Sequence, residues 1–404
     1  MKKVLVFLFL FLFPVYVHAL SYPDLNSKII EVYDLTENKV LYEVESKDET
    51  AIASLTKIAT TITAIESVKD LNEEVTVTNK MLNTVSLEAS KAGLKAGDKL
   101  SYLDLLYASM LPSGADATNV IAIASSESVD NFVKKMNNLA KKLKLKNTHF
   151  VNTSGLDIEN HYSSASDVRK LLTYALKNSL FKKIYTTKKY TLSNGLVVKS
   201  TLSSRYNTPG YSTDKLLGSK TGYTSNAGYC LSSLSNINGH EFIIITIKAN
   251  KIDTKFYNVV DTVKLINFLE LNYKDRVLIK EGELLKTIPV NYSKINKYEV
   301  KASKDVTKYL PSDYDKKKFK YEYEGLEKLS FRNKKGSKIG EIKYYYDGEQ
   351  FYKENVILNQ KLKISFIKIV GSYWYIIAVA LAIILAVYRG RMYKYENSSN
   401  NRVS

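Results

Sequence analysis

The chain has 404 residues, 45% of them hydrophobic, with 59 Lys and Arg against 41 Asp and Glu, a formal charge of +18. That length leaves room for two domains. Four histidines and the single Cys230 form neither a Cys/His cluster nor an H-x-x-x-H pair, so the sequence supports no metal site and implies no cofactor, and one cysteine excludes an internal disulfide. The lysines are spread along the chain rather than gathered into one block, which fits a solvated surface first and approach to anionic wall polymers or lipid headgroups second.

Lys2 and Lys3 precede an unbroken apolar run from Val4 to Phe13, closed by Pro14 and followed by Val17-His18-Ala19. This is the order of an export signal, with cleavage expected after Ala19 and a signal peptide over 1–19. The following segments, Ile29 to Tyr33 and Val40 to Glu45, read as a hairpin around Thr36-Glu37-Asn38-Lys39. From Ser54 the period becomes helical, with Ile58, Ile62 and Ile65 three and four residues apart, so Ser54 stands at or near a helix start. Tyr102 to Met110 is a second helix, stopped by Pro112 just before Ser113. Asp116 to Ser125 is a third and largely apolar, and Val129 to Leu143 is amphipathic with lysines outside. Asn152 to Ser166 reads as a polar loop, and Asp167 to Lys177 as helix.

The segment after Gly218 reads as strand. Tyr229 to Leu234 and Phe242 to Ala249 are strong β patterns joined by an Asn238-Gly239 turn. Cys230 in the first of them is expected to be a buried structural thiol. A last helix, Tyr257 to Leu271, returns along the sheet. Strands first, helices in the middle and strands last imply an α/β sandwich over 20–273. Short strands then recur at Ile288 to Asn291, Glu299 to Ala302, Lys338 to Tyr346 and Gln350 to Val356, so 274–366 is expected to be a small all-β domain, a spacer rather than a second active site.

Residues 369–388 carry no charge and are about as long as a bilayer-spanning helix. Tyr373, Trp374, Tyr375 and Tyr388 mark its ends as an aromatic belt would, and Arg389, Arg391 and Lys394 follow. Lys361, Lys363 and Lys368 on the other flank blur the charge asymmetry, so the export signal sets the orientation. The chain is then a single-pass protein of the cell membrane, with 20–367 on the extracytoplasmic face and 389–404 as a cytoplasmic tail. Nucleic acid has no place as a partner there.

Three short motifs stand in one order: Ser54-Leu55-Thr56-Lys57, Ser113-Gly114-Ala115 and Lys220-Thr221-Gly222. Ser-x-x-K at a helix puts hydroxyl and amine on one face, one turn apart. A serine needs a base to become a nucleophile, and lysine is one only when its neutral form is favoured, by desolvation or by a neighbouring cation such as Lys220. A helix N-terminus at Ser54 favours developing negative charge. Taken singly, the first motif reads as an exposed helix pair and the last as a loop-to-strand junction; together they are the parts of penicillin-recognising serine enzymes.

With its flanks, the chain resembles the low-molecular-weight penicillin-binding proteins, the D-alanyl-D-alanine carboxypeptidases of serine peptidase family S11. The resemblance rests on Ala53 to Thr60, Leu111 to Ala117, Asn152 to Asp157 with His161 to Ala165, and Gly218 to Thr224 with Ala227-Gly228. It covers the mature ectodomain, and Gly336 to Tyr346 is similar to part of the family's second domain. It implies an α/β sandwich of the penicillin-binding/serine β-lactamase type, followed by the β domain and a transmembrane helix. It also implies that Ser54 is acylated by the penultimate D-alanine of a peptidoglycan stem peptide, with Lys57 as base and Ser113 as proton relay. Lys220 and Thr221 would hold the substrate carboxylate, Gly222 would complete that motif, and the N–H groups of Ser54 and Tyr223 would form the oxyanion hole. β-Lactams would be covalent inhibitors. Two positions depart from the family: Ala115 replaces the usual Asn, with Asn119 a full turn on, and Lys255 stands where an arginine is usual. Ala115 leaves open a weakly active or non-catalytic stem-peptide-binding module. A β-lactamase would need a deacylating base, and no E-x-x-L-N occurs. Transpeptidation competes with hydrolysis for the same acyl-enzyme.

Overall fold

The computed structural model describes residues 20–400. The export signal expected over 1–19 and the end of the tail expected over 389–404 lie outside the described residues. The chain divides between Lys274 and Asp275 into two compact units.

The first unit opens with the hairpin β1 (Ile29–Asp34) and β2 (Lys39–Val44). The helical part follows as α1 (Lys57–Ser67), α2 (Tyr102–Met110), α3 (Ala115–Ser126), α4 (Val129–Lys142) and α5 (Ala165–Ala175). Three long strands, β3 (Leu216–Thr224), β4 (Gly228–Ile237) and β5 (His240–Ala249), and the helix α6 (Tyr257–Asn272) complete it. The strands form one antiparallel sheet in the order β2-β1-β5-β4-β3, which places the first hairpin beside the last strand and leaves β3 on an edge.

Strand alternation makes this sheet the middle layer of a sandwich. Ile243, Ile245 and Ile247 point into the helical core with Val168, Leu171 and Leu172 of α5. Thr246, on the other face, donates through Oγ1 to Asn258 O of α6 at 3.2 Å. The β4–β5 turn has the Asn-Gly chemistry the sequence suggests, with φ of +53° at Asn238 and +88° at Gly239. Ser101 and Asp104 close a capping box at the start of α2, where Ser101 Oγ accepts from Asp104 N at 3.1 Å. Cys230 is fully buried, and burial pushes its thiol up to about 12, so it is the structural thiol expected.

The second unit is all-β up to its last helix. It includes β6 (Leu284–Asn291), β7 (Lys297–Lys301), β8 (Phe319–Gly325), β9 (Lys338–Tyr346) and β10 (Glu349–Ile357). β8, β9 and β10 form an antiparallel sheet, and its core includes Ile339, Ile342 and Tyr344. β8 is not among the strands expected from the sequence, although Phe319, Tyr321 and Tyr323 alternate with Lys320, Glu322 and Glu324 in the period of a strand. The unit ends in α7 (Phe366–Asn400). Its stretch Phe366–Lys394 is long and apolar enough to cross a membrane, and none of its most apolar window is buried against protein.

Candidate active site

Ser54 lies in the 3-10 turn Ala53–Thr56, which runs straight into α1 at Lys57. A 3-10 turn eclipses residues i and i+3, so the Ser-x-x-K spacing sets the two side chains against each other. Lys57 Nζ donates to Ser54 Oγ at 2.9 Å and to the carbonyl of Ser154 at 2.7 Å. Lys57 is 1% exposed, and burial pulls its ammonium down to about 7, against the opposing charge of Asp116. Desolvation, more than a neighbouring cation, is therefore what makes this lysine a base near neutral pH.

Two glycines let the Ser54 turn sit this close to its neighbours. Gly155 has φ +87°, and a Cβ there would overlap the carbonyl of Ala53. A Cβ on Gly222 would stand 2.9 Å from Ser54 N and 2.9 Å from Ala53 Cβ, so the strand can lie directly against the Ser54 amide. The loop that carries Ser154 is held from both ends. His161 accepts from Val151 N at 3.0 Å through Nδ1, which leaves Nε2–H to donate to Thr56 Oγ1 at 2.9 Å. Burial first, then the charges of His149 and Lys57, push this imidazole down to about 4, so it is neutral. At the other end Asp157 accepts from Thr224 Oγ1 at 2.7 Å and Asn226 N at 3.1 Å, tying the loop to the end of β3.

Lys220, Thr221 and Gly222 sit in mid-strand on β3 rather than at a loop-to-strand junction, paired with Ser232, Leu231 and Cys230 of β4. Lys220 is buried, and its Nζ donates to Thr221 O at 2.7 Å. Burial, then the cationic neighbours Lys57 and Arg205, hold its amine well below the usual lysine range. Thr221 shares a hydrogen bond of 2.6 Å with Thr201, whose own N–H donates to Leu111 O at 3.0 Å. This chain of contacts joins β3 to the Ser113 segment. Tyr223 is half-exposed and packs on Tyr229 with ring centroids 4.4 Å apart.

Ser113 has φ +66°, a left-handed conformation that costs a non-glycine residue about 1–2 kcal/mol. Its hydroxyl is buried and makes no hydrogen bond among the described residues. Ala115 is buried at the start of α3 and donates its N–H to Ser90 O at 2.8 Å. Next to it, the Asp116 carboxylate accepts from Ala92, Gly93 and Leu94 N at 2.8, 2.9 and 3.1 Å. The middle motif thus anchors the 90–94 segment through its main chain and Asp116. Asn119 does not reach Lys57; its amide bonds Thr84 Oγ1 at 3.0 Å and accepts from Thr153 Oγ1 at 3.2 Å.

Lys255 is exposed, with Nζ 5.9 Å from the centre of the Tyr211 ring. The cations acting on Lys220 are instead Lys57 and, after it, Arg205, which stands just after the short helix Thr201–Ser204 and donates from Nη1 to Ser90 Oγ at 3.2 Å. No sequence motif pointed to Arg205 or to the Ser154 carbonyl. The first is placed by a four-residue helix, and the second is a main-chain acceptor with no side-chain signature. Among the described residues no group of His, Cys, Asp and Glu could hold a metal.

A serine paired with a buried lysine, facing a Lys-Thr-Gly edge strand under an α/β sandwich, defines the class of penicillin-recognising serine enzymes. Residues 17–251 match the D-alanyl-D-alanine carboxypeptidase family and residues 273–363 the C-terminal domain of penicillin-binding protein 5. The chain therefore belongs to the D-alanyl-D-alanine carboxypeptidase family, serine peptidase family S11. It is 29% identical over 349 residues to D-alanyl-D-alanine carboxypeptidase DacF of Bacillus subtilis, covering 83% of this chain and 87% of that one. A Streptomyces D-alanyl-D-alanine carboxypeptidase is 31% identical over 240 residues, 56% of this chain and 81% of the relative. The crystal structure of penicillin binding protein 5 from Haemophilus influenzae superposes with a TM-score of 0.61 at 25% identity, covering 85% of this chain and all of that one. The fold is the penicillin-binding type, with the all-β domain and apolar final helix described above.

Proposed function

We propose that the protein is a serine-type D-Ala-D-Ala carboxypeptidase that removes the terminal D-alanine from peptidoglycan stem pentapeptides. The observation that carries this reading is the 2.9 Å contact between Ser54 Oγ and Lys57 Nζ, with the lysine titrating at about 7. Neutral Lys57 takes the proton as Ser54 Oγ attacks the penultimate D-alanine carbonyl, whose oxygen is received by the N–H groups of Ser54 and Tyr223. Ser113, buried and without a partner, relays the proton to the leaving amine, and D-alanine departs. Water then attacks the ester, Lys57 again taking a proton, and Ser54 is regenerated. Thr221 and Lys220 receive the substrate carboxylate, with Arg205 adding positive charge. A substrate anion would favour the charge that burial disfavours on Lys220. A β-lactam stops at the ester because its amine stays tethered.

The reading extends to location. A signal peptide over 1–19 exports the chain, 20–273 is the catalytic domain, 274–366 is the spacer, 369–388 spans the cell membrane and 389–404 is cytoplasmic. The catalytic unit then faces the wall.

A binding module without turnover is the reading Ala115 favours. Against it, the Ser154 carbonyl already supplies Lys57 with an acceptor. The purified chain and a Ser54→Ala control, treated with fluorescent penicillin and then a D-Ala-D-Ala peptide, separate the two. Labelling and D-alanine release by the native chain alone are expected. Labelling without release supports the binding module, rapid loss of label with penicillin hydrolysis supports a β-lactamase, and no labelling overturns the serine mechanism.

A further inference from the structure

Lysines that look scattered in the sequence gather at one end of the second unit. Segment 289–298 brings Lys294 and Lys297, segment 331–337 brings Arg332, Lys334 and Lys335, and segment 359–368 brings Lys361, Lys363 and Lys368. None of the three segments holds an Asp or Glu, in a chain that has 41 of them. Hydrogen bonds draw the segments together. Lys294 N donates to Lys363 O at 2.8 Å, Gly336 N to the O of Leu358, just before the third segment, at 2.8 Å, and Tyr298 Oη to Asn359 Oδ1 at 3.2 Å. Tyr292 lies within electrostatic reach of Arg332. Among the described residues, none of these eight cations is in an ion pair.

α7 leaves from the middle of this cluster and is bolted to it. Ser365 N donates to Tyr292 O at 2.9 Å, Ser293 Oγ to Lys363 O at 2.8 Å, and Lys368 Nζ to Ser293 O at 2.6 Å as well as to Asn296. Farther along the helix the Tyr292 and Tyr373 hydroxyls meet at 3.2 Å, with their rings stacked. No slack linker separates the β unit from the helix. At the helical rise Trp374 lies only about 9 Å along the axis from Lys368. Phe366 and Ile367, 71% and 86% exposed, stand among the cations, between Lys363 and Lys368 at the start of α7. A bilayer that receives the belt must therefore bring its headgroups to the height of the cluster.

We infer that this basic collar is a binding surface for anionic phospholipid headgroups, which gather around α7 and seat the β unit on the membrane. The inference rests on the reading of α7 as a membrane span. Lysine and arginine beside an anionic surface each add attraction that salt screens, and eight cations held together with no acidic residue among them add in one direction.

The chain's single tryptophan, Trp374, provides the test. The full chain is reconstituted into phosphatidylcholine vesicles that hold equal fractions of either brominated phosphatidylglycerol or brominated phosphatidylcholine, and Trp374 quenching is compared. Brominated phosphatidylglycerol is expected to quench about twofold more strongly at low salt, the excess fading at high salt. The excess should vanish when Lys294→Gln, Lys334→Gln, Lys335→Gln and Lys363→Gln are combined. It should survive four matched changes in the first unit: Lys134→Gln, Lys141→Gln, Lys177→Gln and Lys183→Gln. Equal quenching by the two lipids overturns the headgroup site while leaving the span intact. An excess that persists in the collar variant assigns the preference to the helix and also overturns it. No quenching by either lipid removes the span itself.

Discussion

The two sides of the candidate site are built by different means. On the Ser54 side the polar groups are satisfied: Lys57 has two acceptors, and the Ser154 loop is pinned by neutral His161 and by Asp157. On the Ser113 side, the proposed proton relay has a strained backbone and a buried hydroxyl that makes no hydrogen bond among the described residues. Structure there is carried by the Ala115 N–H and the Asp116 carboxylate. Satisfied groups hold geometry, whereas a buried group left without a partner is a cost to the fold that a passing proton can make useful. The comparison separates residues that support the site from the one that the proposed mechanism uses as its proton relay.

The widest gap between the two sides should open at Ser113. Ser113→Ala removes a hydroxyl with no hydrogen bond to lose, so thermal stability should stay within about 0.5 kcal/mol while D-alanine release falls by about 10²–10⁴-fold. A loss of melting temperature parallel to the loss of rate would make Ser113 structural and erase the contrast. Gly155→Ala should do the reverse, costing about 3 kcal/mol or more because the new Cβ overlaps Ala53 O at a positive φ, as denaturant unfolding would show.

A smaller effect follows from His161. Its folded pKa of about 4 lies below the ordinary histidine value, so the unfolded chain binds the extra proton between about pH 6.5 and 4. Its contribution is therefore fully present above about pH 6.5 and is lost as pH falls towards 4. A His161→Gln variant should show a shallower loss of stability over that window in pH-dependent urea melts. The smallest catalytic effect is expected for Ala115→Asn. Because Ser154 O already receives Lys57, kcat/KM should change by less than about threefold, and the larger side chain at a buried position should cost about 1–2 kcal/mol. A large rise in kcat/KM would mean that the missing amide limits this enzyme.

Much of this was legible in the sequence because it is written in local spacing. The Ser54–Lys57 pair needs only three residues of separation, and the second helix, from Tyr102 to Met110, has the bounds its apolar period and Pro112 indicate. The Asn-Gly turn likewise carries its own backbone chemistry. Features that folding brings together from separate segments were not legible. Arg205 reaches Lys220 only after a short helix turns the chain, and the lysine acceptor at Ser154 is a carbonyl that any residue would carry. The basic collar joins three segments that each read as ordinary lysine-rich surface. The strand after Gly218 was legible, but the reason for Gly222 within it was not, because it lies in the close approach of the Ser54 turn from a distant segment.

The central claim is that Ser54 is activated by a lysine that burial has made a base. The rate at which penicillin acylates Ser54, followed from about pH 5 to about pH 9, tests it most directly. Lys57 is protonated below its folded pKa and cannot accept the serine proton, so the rate should climb about tenfold per pH unit up to about 7 and level off above it. Lys57→Ala should lose the plateau entirely. A profile flat across pH 7, or a Lys57→Ala variant that acylates at the native rate, would contradict the account.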